Sequence, residues 1–299
     1  MASLVSIKQL DVHTIEWLLQ NAQSFVDYHG DARKGYSVVH LFFEPSTRTH
    51  LSFQMAAQRL GMEILDFSID QSSVNKGESV IDTLQTIDAI GVDLAVIRDG
   101  GDWPALLVNE KLNMSLVNAG SGTFEHPTQA LLDALTMQQH FGSLSGLTVT
   151  IVGDIAHSRV ARSNVYLLHK MGVTVQFAGP EAYKTTHIEN VEWVDFDEAV
   201  TQSDVIMMLR IQHERHAEHY EIADYHGRFG LNKARLNMMR KDAIILHPGP
   251  VNRNVEICDE AMADPRCKIL TQVKNGVAVR MAVLDWCLQG GSDEKLVSA

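Results

Sequence analysis

Short apolar runs alternate with amphipathic helical patterns along this 299-residue chain. Residues 36–42 are rich in β-branched and aromatic side chains and predict a buried strand, and residues 47–60 follow with apolar side chains at helical spacing. The second half repeats the alternation, with a predicted strand at 147–152 and a predicted helix at 160–170. Such alternation is typical of parallel sheets covered by helices on both faces. We therefore predict an α/β fold with one parallel sheet in each half.

A glycine-containing stretch marks the predicted boundary between the halves. Gly142 and Gly146 follow a predicted amphipathic helix. We therefore place one domain at residues 1–141 and a second at 142–275, and we expect a closing helix at 276–290 to pack back onto the first domain. Ligands of parallel sheets bind beyond the carboxyl ends of the strands, so we expect the active site in the cleft between the domains.

The composition restricts the classes of function. Acidic residues outnumber basic ones by 37 to 25, and the formal net charge of -12 argues against nucleic-acid binding, which needs an electropositive face. No apolar run reaches the length of a membrane span, and the first residues lack the apolar core of a signal peptide. The three cysteines form no C-x-x-C pair, and free thiols fit a reducing compartment. We therefore expect a cytoplasmic protein with no nucleic-acid or membrane partner.

The stretch Phe42-Phe43-Glu44-Pro45-Ser46-Thr47-Arg48-Thr49 joins the first predicted strand to the helix that follows it. Hydroxyl side chains, an arginine and the N–H groups of a helix start are together suited to binding a phosphate or a carboxylate. The alternative interpretation is a capped helix with one solvated arginine.

Other candidate binding residues also lie at or just after predicted strand ends. They are Arg98, His126, Arg159, Arg210 and the run Pro248-Gly249-Pro250. Guanidinium groups match the geometry of phosphate and carboxylate and stay charged at physiological pH. Together with Arg48, these arginines predict a substrate or substrate pair that carries several negative charges. Each arginine taken alone also fits a surface or interdomain salt bridge.

His126 and Gln129 are predicted to lie at the start of a helix that Pro127 opens. The positive end of a helix favours a neutral imidazole, which can donate a hydrogen bond to a carbonyl oxygen and stabilise a developing oxyanion. Such a donor contributes roughly 3–4 kcal/mol where single ones have been removed. A histidine that caps or packs against the helix is the alternative.

Several common motifs for cofactor binding, nucleophilic catalysis and metal binding do not occur in the sequence. Gly153 and Asp154 follow a predicted strand, but no G-x-G-x-x-G continues from them, and there is no G-x-x-x-x-G-K-[ST]. There is also no ordered Ser-His-Asp triad or nucleophile elbow. His213, His216 and His219 share one helical face at most, and we interpret them as solvated rather than as metal ligands. We therefore expect neither a metal nor a cofactor.

Two segments resemble the signatures of the aspartate/ornithine carbamoyltransferase superfamily. Phe43-Glu44-Pro45-Ser46-Thr47-Arg48-Thr49 is similar to its carbamoyl-phosphate signature, and His126-Pro127-Thr128-Gln129-Ala130-Leu131-Leu132-Asp133 is similar to its second signature. The resemblance extends from the first helix to the closing one, and paired motifs at this separation are highly specific. It implies a two-domain enzyme that transfers a carbamoyl group from carbamoyl phosphate to an amine.

Four features resemble the catalytic chains that use aspartate rather than ornithine. They are Lys76-Gly77-Glu78, Arg159 within residues 157–163, Arg210-Ile211-Gln212, and His247-Pro248-Gly249-Pro250-Val251-Asn252-Arg253. Ornithine enzymes typically carry a His-Cys-Leu-Pro element at the last place, and Gly249 replaces the leucine or alanine of many relatives. The resemblance therefore implies transfer to L-aspartate, which gives N-carbamoyl-L-aspartate and phosphate in pyrimidine (UMP) biosynthesis.

The resemblance also implies a role for each matching residue. Carbamoyl phosphate would be bound by Ser46, Thr47, Arg48, Thr49, Arg98, His126, Gln129 and the backbone carbonyls of Gly249 and Pro250. L-Aspartate would be bound by Lys76, Arg159, Arg210 and Gln212. The residues implied in catalysis itself are Arg48, Thr49, Lys76, Arg98 and His126.

In the superfamily, active sites are shared between the subunits of a trimer. By resemblance, Lys76 and a serine before it would come from the neighbouring subunit, and Ser72 has better spacing than the alternative, Ser73. The attachment of regulatory or pathway subunits is left open by the sequence. The competing interpretations are an ornithine-type enzyme, which paired carboxylate-binding arginines disfavour, and a non-catalytic binding protein, which the filled motif positions disfavour.

Overall fold

The computed structural model describes residues 2–28, 30, 32–65, 67, 77–107, 111–211 and 222–291. The chain forms two compact units. Unit 1 contains the described residues up to Leu135 and those from Val273 onward, and unit 2 contains the described residues from Thr136 to Gln272. Within these ranges, no helix is both long and apolar enough to cross a membrane.

Strands and helices alternate through both units. Within the described residues, the strands are β1 (Ser37–Phe42), β2 (Glu63–Leu65), β3 (Leu94–Asp99), β4 (Ser115–Ser121), β5 (Thr148–Val152), β6 (Thr174–Ala178), β7 (Glu192–Trp193), β8 (Val205–Met208) and β9 (Ile244–Leu246). The α-helices of the same residues are α1 (Val12–Phe25), α2 (Thr47–Arg59), α3 (Val80–Ile90), α4 (Trp103–Leu106), α5 (Pro127–Phe141), α6 (Arg159–Lys170), α7 (Phe196–Gln202), α8 (Ile222–Phe229), α9 (Lys233–Met238), α10 (Asp259–Ala263) and α11 (Ile269–Leu288).

The sheet of unit 1 has four parallel strands in the order β2-β1-β3-β4. Strands that are covered on both faces need apolar side chains on both, and Val38, Val39 and Leu41 of β1 are accordingly buried. Phe42, at the end of β1, is paired with Arg98 of β3. The carboxyl ends of β1, β3 and β4 therefore lie along one edge of the sheet, where ligands of parallel sheets bind.

The sheet of unit 2 has five parallel strands in the order β7-β6-β5-β8-β9. Its first strand in the sequence, β5, lies at the centre, and later strands add on either side, as in doubly wound sheets. The core beneath includes Val152, Ile206, Ile245 and Phe196, all of them buried. Because β5 and β8 are neighbours, the segments that follow them leave the sheet side by side.

The predicted fold, with one parallel sheet in each half, is confirmed. The closing helix is longer than predicted, since α11 begins at Ile269 rather than at residue 276, and it ends at Leu288 rather than at 290. Arg98 lies near the carboxyl end of β3, as expected from the sequence, and Arg159 is the first residue of α6. The sequence does not reveal β7, α9 or α10, because such short elements contain too few apolar positions to show a period.

Candidate active site

Helix α2 begins without a capping side chain. Ser46 occupies the N-cap position, but its hydroxyl makes no hydrogen bond to the helix, and no acidic residue lies in the first turn. Other helices of the chain are capped by side chains that do accept hydrogen bonds, namely Asp11, Ser79, Ser158, Asp195 and Asn232. The alternative interpretation, a capped helix with one solvated arginine, is therefore wrong about the cap, whereas Arg48 is exposed as it expects. Its start presents N–H groups and hydroxyls of the kind that bind an anion.

A cavity of about 540 Å³ lies at the start of α2, within unit 1. Its polar walls include Glu44, Ser46, Thr47 and His50. Aromatic side chains of the same stretch, Phe42 and Phe43, form part of its apolar lining. This volume is in the usual range of pockets for small molecules, and the polar groups are concentrated at the helix start.

Arg98 reaches the same edge of the sheet from β3. Its Nη1 donates to the carbonyl oxygen of Ala119 on β4 at 3.3 Å, and its Nε lies 3.6 Å from Glu44 Oε2. The Arg98 side chain is only 14% exposed, so water screens its interaction with Glu44 incompletely. We interpret Glu44 as a residue that orients Arg98 rather than as a general base.

His126 and Gln129 are positioned by the start of α5. The helix begins at Pro127, directly after the buried His126, and the N–H of Gln129 donates to the His126 carbonyl oxygen at 3.0 Å. The imidazole therefore belongs to the residue that precedes the positive end of α5. The Gln129 side chain is also buried, and its Nε2 donates to Asp133 Oδ1 at 2.9 Å. Since a carboxylate only accepts hydrogen bonds, the Gln129 amide oxygen remains as an acceptor.

Glu125 is a buried residue of this region that the sequence interpretation does not include. Its carboxylate accepts hydrogen bonds from the hydroxyl of Ser6 and, at 2.9 Å, from the N–H of Ile7. These bonds tie the N-terminal segment to the residue that precedes His126. The only signal in the sequence is its place beside the His-Pro-Thr-Gln motif, because its partner Ser6 is 119 positions away.

Arg159 and Arg210 follow neighbouring strands of unit 2. Arg159 opens α6, whose N-cap residue Ser158 accepts a hydrogen bond from the N–H of Ala161 at 3.0 Å. Arg210 comes shortly after β8, and both arginines are half-buried. Because β5 and β8 pair in parallel, the two arginines follow the same edge of the sheet. This placement suits residues that bind an anionic ligand.

The segment Pro248-Gly249-Pro250 follows β9, the neighbour of β8 in the same sheet. Gly249 has a φ of +67°, a backbone conformation that favours glycine, and its peptide bond to Pro250 is cis. Glu256 Oε1 accepts hydrogen bonds from His247 Nε2 at 3.2 Å and from the N–H of Asn252 at 2.5 Å. The fully buried Glu256 thus connects the residues on either side of this segment.

Some predicted site residues lie outside the described residues. They are Lys76, Gln212 and the two alternative serines, Ser72 and Ser73, together with the histidines at 213, 216 and 219. In the part of the chain that the structure describes, no three histidine, cysteine or acidic side chains are grouped as a metal site would require.

Two family models match the chain. Residues 2–139 match the model described as aspartate/ornithine carbamoyltransferase, carbamoyl-P binding domain. Residues 145–287 match the model described as aspartate/ornithine carbamoyltransferase, Asp/Orn binding domain. Together these segments span nearly the whole chain.

Curated relatives are similar over nearly their whole length. The chain is 43% identical over 302 residues to the aspartate carbamoyltransferase catalytic subunit of Ligilactobacillus salivarius, which covers 96% of this chain and 95% of the relative. It is 45% identical over 296 residues to the same subunit of Listeria innocua, with 97% and 96% covered.

Solved structures are similar as well. A Trypanosoma cruzi aspartate transcarbamoylase in complex with carbamoyl aspartate and phosphate is 30% identical, with a TM-score of 0.84 over 95% of this chain and 94% of that one. The enzyme of the same organism in complex with carbamoyl phosphate and aspartate is 29% identical, with a TM-score of 0.83 over 95% of each chain.

Proposed function

The chain belongs to the aspartate/ornithine carbamoyltransferase family, and from this premise we propose which residues carry its reaction. It is an aspartate carbamoyltransferase, which transfers the carbamoyl group of carbamoyl phosphate to the amine of L-aspartate and releases phosphate. The observation that carries this conclusion is identity of 43% and 45% to aspartate-specific catalytic subunits over at least 95% of both chains.

Carbamoyl phosphate is bound by residues of unit 1. The phosphate interacts with the start of α2, through Ser46, Thr47, Arg48 and Thr49. The N-cap hydroxyl of Ser46, which makes no bond to its own helix, supports this role. Arg98 bridges the phosphate and the carbonyl oxygen, and its partly buried interaction with Glu44 supports a fixed orientation.

The carbamoyl group itself is recognised by its oxygen and its amine. His126 donates to the carbonyl oxygen from the positive end of α5. The Gln129 amide oxygen accepts from the carbamoyl amine, as do the backbone carbonyls of Gly249 and Pro250. The hydrogen bond from Gln129 Nε2 to Asp133 supports this assignment, because it leaves the amide oxygen for the ligand.

L-Aspartate is bound by Arg159 and Arg210 of unit 2, with Gln212 and Lys76. Two guanidinium groups that follow neighbouring strands suit a substrate with two carboxylates. The description of the second family model, an Asp/Orn binding domain at residues 145–287, supports the placement of this substrate.

The reaction needs no protein base in this proposal. The aspartate amine attacks the carbamoyl carbon, the new C–N bond forms, and the C–O bond to phosphate breaks. His126, Arg98 and Thr49 stabilise the oxyanion, and a phosphate oxygen takes the amine proton. Holding both substrates at the attack distance contributes as much as roughly 7–11 kcal/mol, because their translational and rotational freedom is lost on binding. The arginines offset the repulsion between the two anions.

The domain division follows the two substrates. We place the carbamoyl-phosphate-binding domain at residues 1–141 together with the closing helix, and the aspartate-binding domain at 142–275. The family models, which end at 139 and begin at 145, support this boundary. The grouping of residues from Val273 onward with unit 1 supports the assignment of the closing helix.

We also propose a cytoplasmic homotrimer that acts in pyrimidine biosynthesis, with Lys76 and either Ser72 or Ser73 completing the site of the neighbouring subunit. Exposed apolar side chains in unit 1 support an interface between subunits. Leu51 and Met55 on α2 are 57% and 41% exposed, and Ile64 and Leu65 on the edge strand β2 are each 39% exposed. Edge strands with apolar side chains are usually covered.

A carbamoylation assay with two acceptors tests the function. The purified chain is incubated with carbamoyl phosphate and either L-aspartate or L-ornithine, and carbamoylated product is measured. A reaction without acceptor corrects for spontaneous breakdown of carbamoyl phosphate. We expect product with aspartate alone. Activity with ornithine alone, or none with either, would overturn the proposal.

A further inference from the structure

Arg280 lies in α11, outside both sequence signatures, and is buried in unit 1. Only 4% of the residue is exposed, and its guanidinium lies 5.0 Å from the centre of the Phe53 ring. Its Nε makes no hydrogen bond to the described residues. A β-carbon on Gly276 would lie 2.5 Å from Arg280 Nη1, so the glycine leaves room for this side chain. A cation buried in this way needs compensating negative charge nearby.

Two charged residues of unit 1 act on Arg280. Burial lowers its pKa from 12.5 to about 9, the charge of Asp133 opposes that change, and the charge of Arg98 adds to it. Arg280 therefore remains a cation at neutral pH, attracted by Asp133 and repelled by Arg98. The attraction is mutual, so Arg280 supplies the opposite charge that the fully buried Asp133 needs.

Asp133 connects this charge to the substrate-binding residue Gln129. The two are one turn apart on α5, and Gln129 Nε2 donates to Asp133 Oδ1 at 2.9 Å. A partner that could both donate and accept at this place would accommodate either orientation of the Gln129 amide. With it, the amide nitrogen is committed to Asp133 and the oxygen faces away.

We propose that Asp133, whose buried charge is compensated by Arg280, is a positioning residue that turns the Gln129 amide oxygen toward the carbamoyl amine. This proposal rests on the function given above. The carbamoyl amine can only donate hydrogen bonds, so a reversed Gln129 amide would place one donor against another. The pair Asp133 and Arg280 thereby selects carbamoyl phosphate over acyl phosphates that lack the amine.

The test compares carbamoyl phosphate with acetyl phosphate, in which a methyl group replaces the amine. The variant is Asp133→Asn. Arg280 attracts the oxygen of the new amide, so the nitrogen of that amide faces Gln129. This nitrogen donates to the Gln129 oxygen and so favours the reversed orientation of the Gln129 amide. We expect the KM for carbamoyl phosphate to rise about tenfold and the inhibition constant of acetyl phosphate to change less than about twofold. A folded Asp133→Asn variant that keeps the wild-type ratio of the two constants would overturn the proposal.

A second buried aspartate, Asp285 on α11, provides a matched control. Asp285 is fully buried, accepts from Asn21 Nδ2 at 3.4 Å and from Arg33 Nε at 2.6 Å, and so also binds an amide and a guanidinium. Asp285→Asn makes the same chemical change without touching Gln129. We expect it to lower thermal stability and to leave the ratio of the two constants unchanged.

Variants of Arg280 keep the proposal testable if Asp133→Asn does not fold. Arg280→Lys retains the charge and should retain the ratio, whereas Arg280→Met should lower discrimination in the same direction as Asp133→Asn. An equal ratio in both Arg280 variants would overturn the proposal. In a Gln129→Met background, which has no amide to turn, adding Asp133→Asn should leave the ratio unchanged, and a further loss of discrimination would contradict the positioning role.

The proposed function and this inference fail in different ways. If the wild-type chain does not carbamoylate aspartate, the function is wrong, whatever the variants bind. If the wild type is active and discriminates but Asp133→Asn discriminates equally well, only the positioning role is wrong.

Discussion

His247 accepts the backbone N–H of Gly249 through Nδ1 at 2.8 Å, which fixes the tautomer of a fully buried imidazole. Because Nδ1 is an acceptor, the ring proton is on Nε2, which donates to Glu256 at 3.2 Å. A neutral histidine thus holds the segment whose carbonyls we propose to bind the carbamoyl amine. The geometry of that contact therefore depends on Glu256, to which we assign no contact with substrate.

Removing the Glu256 carboxylate should destabilise unit 2. In Glu256→Ala, the buried His247 Nε2–H and the partly buried Asn252 N–H lose their common acceptor, and a buried donor left without a partner costs about 1–3 kcal/mol. Glu256→Gln keeps an oxygen for both and should cost less. Urea denaturation measures both variants. Equal stability of Glu256→Ala and the wild type would contradict this account.

Replacing Ser46 should impair substrate binding without weakening the fold. Its hydroxyl does not cap α2, so Ser46→Ala removes no helix cap, and we expect stability within about 0.5 kcal/mol of the wild type. Ser79→Ala is the matched control, since that hydroxyl accepts from the N–H of Asp82 at 3.1 Å, and its loss should cost about 1 kcal/mol. Thermal denaturation and the KM for carbamoyl phosphate separate the two effects. A KM unchanged by Ser46→Ala would argue against the phosphate site.

Loss of the Arg98 charge should reduce catalysis strongly. Arg98→Met removes a donor proposed to stabilise the oxyanion, and we expect kcat/KM to fall about 10²–10³-fold. Arg228→Met is the control, because the Arg228 side chain is 59% exposed and its ion pair with Asp224 is 3.8 Å long. Steady-state kinetics at saturating aspartate checks both variants. Comparable activity in the two would remove Arg98 from the proposed mechanism.

Acid should destabilise unit 1 through His40. Burial, with the charge of His50, lowers the pKa of His40 from 6.5 to about 4. The unfolded chain therefore takes up a proton before the folded one does. The stability is fully present above pH 6.5 and is lost as the pH falls toward 4, where the loss reaches about 3 kcal/mol.

The variant His40→Leu removes this titration, so its stability should decline less between pH 6.5 and pH 4.5. Urea midpoints at several pH values provide the measurement. His187→Gln changes an exposed histidine and should follow the wild type. Parallel pH profiles for wild type and His40→Leu would exclude His40 as the source.

Mixed subunits should regain activity if neighbouring subunits share a site. Lys76→Ala and Arg48→Ala each inactivate the sites to which they contribute. A hybrid trimer still contains a site with both native residues when Lys76 comes from one subunit and Arg48 from the next. We expect activity after the two inactive variants are dissociated, mixed and reassembled. Each variant reassembled alone is the control, and inactive mixtures would mean that each site is built within one subunit.

Local patterns in the sequence predict much of the fold and most of the chemical groups of the candidate site. The alternation of apolar runs with helical periods predicts both parallel sheets, and Pro127 marks the start of α5. The chemistry of the candidate site also follows from local runs, because an anion site needs hydroxyls, N–H groups and arginines near one helix start. The closing helix is less well predicted, since residues 269–275 belong to α11 but carry no strong period.

The tertiary structure decides how those groups are oriented. The order β2-β1-β3-β4 gives the segments after β1, β3 and β4 one common edge. The hydrogen bond to Asp133 directs the Gln129 amide, and Arg280 acts on Asp133 from the far end of the sequence. These effects depend on burial and on contacts between distant segments, which no local period encodes. The sequence by itself therefore determined the fold class and the chemical groups of the site, whereas packing decided which of their atoms are left to bind substrate.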